Sequence, residues 1–146
     1  TAGGQSIRFK ESDIREMGRT AGGVRGIKLT KSDEVIGVDV IKKDNKDGAF
    51  LTMSANGFGK KTTLKEYKVQ KRGGSGIKTA KITPKTGKLI VSKVINGSEE
   101  ELIAMSKKGQ VIRTALKDIP NLGRQTQGVT VMRLHTGDSI ASLACA

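Results

Sequence analysis

Cysteine occurs once in this chain, at Cys145, and histidine once, at His135. A single thiol cannot form an intrachain disulfide, and its scarcity fits a reducing compartment. One thiol and one imidazole also fall short of the nitrogen and sulfur ligands that a structural or catalytic zinc requires. Aromatic residues make up 3% of the chain: Phe9, Phe50, Phe58 and Tyr67. They are too few to build the stacking platform that holds single-stranded bases. No apolar run approaches the roughly 18 residues of a membrane-spanning helix, and the N-terminus carries no signal-peptide pattern. Helical periodicity is missing as well, so no amphipathic helix is available to enter a major groove. "KESDIREMGR" (10–19) reads as a loop, with at most a short helical turn capped near Ser12. The chain opens on "TAGGQSIRF", already inside a patterned segment, and is expected to be a piece of a longer protein. These exclusions fit a chain of a reducing compartment with no cofactor.

Positive charge is abundant. The 146 residues, enough for one domain with a real core, hold 27 Lys and Arg against 14 Asp and Glu, a net charge of +13. Such a balance says nothing about fold, but it favours association with a polyanion. It is also uneven: residues 60–88 contain ten cations and one acid, Glu66. Within that stretch lies "QKRGGSG" (70–76), where Lys71 and Arg72 stand beside three glycines. Glycine lets a second surface approach the bare backbone, and lysine and arginine supply anion-binding charge. A tight turn with solvated charges is the plainer reading.

Self-comparison shows a repeat. "GRTAGGVRGIKL" (18–29), "KRGGSGIKTAKI" (71–82) and "GRQTQGVTVMRL" (123–134) align without gaps. Arg19, Arg72 and Arg124 take the second place, and Gly23-Val24, Gly76-Ile77 and Gly128-Val129 the sixth and seventh, at spacings of 53 and 52 residues. A second block keeps the same phase: Gly4, Gly57 and Gly109, each with a cation four places on, at Arg8, Lys61 and Arg113. Around these anchors run short segments rich in Ile, Val and Thr, such as "AFLTMSANG", "ELIAMSKKG", "DEVIGVDVI", "GKLIVSKVI" and "DSIASLACA". This is the signature of strands separated by tight turns. About four strands per repeat of about 52 residues is propeller-blade arithmetic. The expected units are 1–48, 49–100 and 101–146, the first lacking its opening strand. Three blades are few for a ring, so they are half of a larger disc, or two chains close one together.

Three stretches, "IRFKESDIREMGRTAGGVRGIKL", "GFGKKTTLKEY" and "VIRTALKDIPNLGRQTQGV", closely resemble the C-terminal domain of the DNA gyrase A subunit. The resemblance covers essentially the whole chain. It implies an all-β, six-bladed pinwheel whose blades exchange strands and whose basic rim wraps duplex DNA, with this chain supplying about three later blades. It further implies a non-catalytic module serving an ATP-dependent topoisomerase, with the rest of gyrase A and with gyrase B as partners. The family's box motif, Gln-Arg-Arg-Gly-Gly-Lys-Gly, is matched by Gln70, Arg72, Gly73, Gly74 and Gly76. Lys71 is a conservative change, and Ser75 replaces a cation. The box is normally found in the first blade, so this copy resembles a second, degenerate one.

Residues 70–76 without Ser75 are therefore expected at the DNA, together with Lys60, Lys61, Lys65, Lys68 and Lys78 and the repeated Arg8, Arg19, Arg113 and Arg124. A cation repeated on rotated blades makes an arc, and an arc bends DNA. Bending 20–30 bp by 40–90° costs roughly 1–6 kcal/mol, which phosphate contacts must offset. Arg19, Arg72 and Arg124 have a second reading, as bonds to loop carbonyls at blade corners. Arg25, Lys28, Lys78, Lys81 and Arg133 alternate in a way that a solvated sheet face also explains. Glu99–Glu101 reads as a solvated acidic turn, and Tyr67 as packing rather than chemistry. Two other functions stay open: the topoisomerase IV counterpart, which steers DNA without full wrapping, and a propeller-like protein-interaction scaffold.

Overall fold

The computed structural model describes residues 1–45 and 47–146. Nine strands occur among them: β1 (Gln5–Ser6), β2 (Ala49–Ser54), β3 (Phe58–Thr63), β4 (Ile77–Lys78), β5 (Leu89–Ile95), β6 (Glu101–Ser106), β7 (Val111–Ala115), β8 (Val129–Thr130) and β9 (Ile140–Cys145). All strand pairings within the three sheets are antiparallel, in the orders β1-β4, β5-β2-β3-β8 and β7-β6-β9. The fold is all-β, as the alternating apolar segments require.

The second and third repeats correspond element by element. Hairpin β2–β3 turns at Gly57 (φ +83°) and hairpin β6–β7 at Gly109 (φ +85°). Each central strand breaks register against its outer partner at the same place, Met53/Ser54 and Met105/Ser106. Three single-turn 3₁₀ helices follow in phase, at Glu11–Asp13, Leu64–Glu66 and Leu116–Asp118. The first fits the loop with a short helical turn expected at 10–19 but corrects its cap: Ser12 lies inside the turn, and the N-cap residue is Lys10, with no side-chain cap bond.

Sheets and sequence repeats do not coincide. β4 belongs to the second repeat but pairs with β1 of the first, and β8 of the third pairs with β3 of the second. Each of these two repeats therefore lends a two-residue strand to the sheet before it. Four strands in one sheet are seen once among the described residues, in β5-β2-β3-β8.

The strand expected at 33–41 is not formed. Its counterparts β5 and β9 pair with β2 and β6, and the first repeat of this chain has no equivalent of β2. The segment lies along the outer edge of β5 instead, where Asp39 accepts the Val94 N–H at 2.9 Å. Val35, Val38 and Val40 are left 54%, 94% and 73% exposed.

The core lies between the second and third sheets. Leu51, Met53, Ile95, Leu102, Ala104, Leu116, Ile119, Met132 and Ile140 are buried together there. Burying a large apolar side chain of this kind contributes roughly 1.5–3 kcal/mol. A smaller buried set, Ala2, Leu64, Tyr67, Ala80 and Leu89, joins the first repeat to the second. The Tyr67 hydroxyl shares a hydrogen bond with Thr79, and its ring meets Phe50 edge-on at 5.4 Å. Burial raises its pKa. Tyr67 is a packing residue.

Candidate nucleic-acid interface

The repeated glycines and cations meet at the junctions between repeats. At the first junction Gln70 N–H donates to the Arg8 carbonyl and Thr79 N–H to that of Gly4, at 2.7 and 2.8 Å. At the second, Leu122 N–H donates to Lys61 and Val131 N–H to Gly57, at 2.8 and 2.9 Å. The pairs are equivalent in the repeat. Gly76 and Gly128 sit against the carbonyls of Ser6 and Gly59, and a Cβ on Gly128 would lie 2.6 Å from that oxygen. Both hold positive φ, +76° and +82°, a region open to glycine without steric cost.

The repeated cations obey the same geometry. Arg8 donates from Nη1 to the carbonyls of Leu64 and Tyr67, at 3.1 and 3.0 Å. Its counterpart Lys61 donates to Leu116, the equivalent of Leu64, at 2.7 Å. Arg72 donates from Nη1 to the Arg25 carbonyl and from Nε to that of Asp13. Arg124 donates to the Lys78 carbonyl, the equivalent of Arg25, at 2.8 Å. So Arg8, Lys61, Arg72 and Arg124 fasten each repeat to its neighbour, and blade-corner bonding is the geometry Arg72 and Arg124 adopt. The third members of the two series differ. Arg113 pairs with Glu101 of its own sheet, and Arg19 is exposed with no acceptor among the described residues.

Lys60 is corrected outright. It is 1% exposed, and its ammonium donates to the carbonyls of Gly123 and Arg124 and to Thr126 Oγ1, at 2.6, 2.7 and 3.0 Å. Burial pushes its pKa down to about 8; Glu66 opposes the fall and Arg124 adds to it. A phosphate cannot reach it. The signal was present in the sequence: the equivalent places hold Ile7 and Ile112, so an inward strand position carries a lysine once.

The loop 70–76 is likewise divided. Gln70, Arg72, Gly73 and Gly76 are half-buried and turned toward the first repeat, Gly73 N–H donating to Gly26 at 2.8 Å. Lys71, Gly74 and Ser75 are exposed. Lys68 and Lys78 are exposed as well, and Lys65 is paired at the surface with Asp47 at 3.0 Å. Lys28 and Lys81, two of the alternating cations that a solvated sheet face also explains, are held at the junctions by their main chain: the Lys28 N–H donates to the Gly74 carbonyl at 2.8 Å and that of Lys81 to Thr126 at 3.0 Å. Both side chains are exposed. His135 is exposed, and no metal-binding cluster of His, Cys, Asp and Glu occurs among the described residues. Nor is any helix among them long and apolar enough to cross a membrane.

Comparison with known proteins agrees with this architecture. The family model described as "DNA gyrase C-terminal domain, beta-propeller" matches residues 1–42, 49–96 and 100–146. The DNA gyrase A subunit of Staphylococcus epidermidis is 42% identical over 144 residues, spanning 99% of this chain and 16% of that protein. Its counterpart in Aminobacterium colombiense is 44% identical over 142 residues, spanning 97% and 17%. The chain thus covers about a sixth of these relatives. A solved DNA gyrase A C-terminal domain superposes with a TM-score of 0.84 at 26% identity, covering 99% of this chain and 48% of that one. The C-terminal domain of DNA topoisomerase IV shares the fold, with a TM-score of 0.89 at 20% identity, covering 99% and 44%. On the family model that matches 1–42, 49–96 and 100–146, the chain belongs to the DNA gyrase C-terminal domain family.

Proposed function

We propose that this chain is a non-catalytic, duplex-DNA-binding part of a type IIA topoisomerase, namely of gyrase A, and that it bends DNA around a basic rim in support of negative supercoiling. One observation carries the reading. After Lys60, Lys61 and Arg72 are withdrawn into the fold, Lys68, Lys71, Lys78, Lys81 and Lys88 still stand exposed in a stretch with one acid. Such a surface attracts the phosphate backbone without reading bases. Because successive repeats are joined by equivalent contacts, equivalent cations on them follow an arc, which favours a bent duplex. The partners are double-stranded DNA, the remainder of gyrase A, and gyrase B, in the bacterial cytoplasm.

A topology assay tests the reading. The chain is bound to relaxed circular plasmid, the plasmid is treated with a relaxing topoisomerase, and linking number is read after deproteinisation. A positive shift supports wrapping. Tight binding without a shift favours the topoisomerase IV type of activity, to which the shared fold also gives support. No salt-dependent duplex affinity at all rejects DNA binding.

A further inference from the structure

The two junctions share their main-chain bonds but are filled differently. Three amides correspond one to one: those of Gln70, Thr79 and Lys28 at the first, and of Leu122, Val131 and Lys81 at the second. Their donor–acceptor distances all lie between 2.7 and 3.0 Å. The backbone therefore sets both junctions alike, and any difference between them comes from side chains.

At the second junction the apolar cluster that includes Leu51, Leu102, Ile119 and Met132 is buried between two sheets. The Lys60 ammonium, from the second repeat, holds the carbonyls of Gly123 and Arg124 and the Thr126 hydroxyl of the third. Buried Thr62 adds its hydroxyl to the Leu122 carbonyl at 2.8 Å. A buried charge that loses its acceptors without reaching water is strongly unfavourable. A small separation of these two repeats strands the ammonium, so the junction opens wholly or stays shut.

The first junction lacks both devices. Ile7 stands in the place of Lys60 and Phe9 in that of Thr62. Its buried apolar set is smaller, with Ala80 where the second junction has Met132. The Ser6 Oγ and Gln70 Oε1 atoms are buried there without a partner among the described residues. Gly59 and Leu122 take those places at the second junction and carry no such group. Opening gives both oxygens to water, which favours the open form. Arg8 and Arg72 do span the first junction. They are only half-buried, and water replaces such bonds at small net cost.

We propose that the chain moves as two bodies: Lys60 latches the second and third repeats into one unit, and the first junction is the joint at which the first repeat swings. Tandem repeats are stabilised by nearest-neighbour interfaces, so unequal interfaces open separately. The curvature of the array is then adjusted at one junction. A ligand spanning all three repeats meets a fixed pair and a movable neighbour. This motion belongs to the chain itself and requires no DNA.

Hydrogen exchange resolved by residue with NMR, on the chain without ligand, is the test. The Gln70, Thr79 and Lys28 amides are expected to share one opening equilibrium. Their protection, corrected for intrinsic exchange rates, should be about tenfold or more below that shared by Leu122, Val131 and Lys81. Lys60→Met is expected to lower protection of the second set about tenfold and to leave the first set unchanged. Equal protection of the two sets in the wild-type chain, or weaker protection at the second junction, overturns the joint. An unchanged second set in folded Lys60→Met overturns the latch. Should that variant not fold, Thr62→Val is the milder change: loss of protection confined to the second set supports two bodies, and equal loss in both sets rejects them.

Discussion

The guanidinium of Arg124 donates to the main-chain carbonyl of Lys78 at 2.8 Å, 46 residues earlier in the chain. Arg72 does the same to Arg25, 47 residues earlier. These arginines recur at the repeat period because a junction recurs at that period. Each ties a loop to the equivalent residue of the preceding repeat, Lys78 at the end of β4 and Arg25 in irregular backbone. A bond from a charged donor to a carbonyl contributes about 1.5–3 kcal/mol when shielded, and less at an exposed site. Arg124→Ala is therefore expected to lower stability by about 1–2 kcal/mol in urea titration. Its salt slope for duplex binding should stay within error of wild type, because the head group is already committed to the fold. A fall in slope with unchanged stability would return Arg124 to the DNA surface.

Gly128 and Gly109 give a paired test of junction packing. Both hold positive φ, yet a Cβ on Gly128 meets the Gly59 carbonyl, whereas one on Gly109 meets nothing within 4 Å among the described residues. Alanine at 109 bears only backbone strain, of order 1 kcal/mol. Alanine at 128 bears that strain plus displacement of a strand, and should cost at least about 3 kcal/mol. Equal losses in thermal or urea melts would mean that the neighbouring repeat does not constrain Gly128.

Most of the fold was legible in one sequence because its determinants recur. Gly4, Gly57 and Gly109 and the cations four residues on mark the repeat and its phase, and the Ile, Val and Thr segments mark strand type. What could not be read was where each cation points. Arg8 and Lys61 bond to carbonyls in the next repeat, and exchanged strands bring those acceptors near from 56 and 55 residues away. Composition gives Lys60 and Lys68 the same charge, but strand alternation turns one inward, and only comparison with Ile7 and Ile112 marks it. The segment 33–41 misled for a related reason. Its pattern is that of a strand, but strand assignment needs a hydrogen-bonded partner, and the first repeat of this chain supplies none.

Lys60 carries a pH signature. Its folded pKa, pushed down to about 8, lies below the ordinary 10.5. Below pH 8 both folded and unfolded chains hold the proton, and burial of the charge is only partly compensated by its three acceptors. Between pH 8 and 10.5 the unfolded chain binds more protons, so this group's contribution to stability rises with pH. Lys60→Met lacks that contribution. It also leaves the Gly123 and Arg124 carbonyls without their donor, and is expected to be about 1–3 kcal/mol less stable at neutral pH. The gap to wild type should widen between about pH 8 and 10. A gap that narrows over that window would show that the acceptors, rather than burial, set the state of the ammonium.

The Lys65–Asp47 pair makes the opposite kind of prediction, a mutation that improves binding. The two side chains are 75% and 88% exposed, and a pair so placed contributes about 0–1 kcal/mol to stability. Asp47→Asn should therefore leave the urea midpoint nearly unchanged. It removes a negative charge from beside the basic stretch and frees Lys65 to meet phosphate. At 4 Å in water a unit charge interacts by about 1 kcal/mol, so duplex affinity should rise about two- to fivefold at low salt. Screening shortens the Debye length to about 8 Å at physiological ionic strength, and the gain should shrink as salt is added. A gain that persists undiminished at high salt would point to a changed loop conformation in place of a changed charge, and no gain at low salt would put Lys65 off the DNA path.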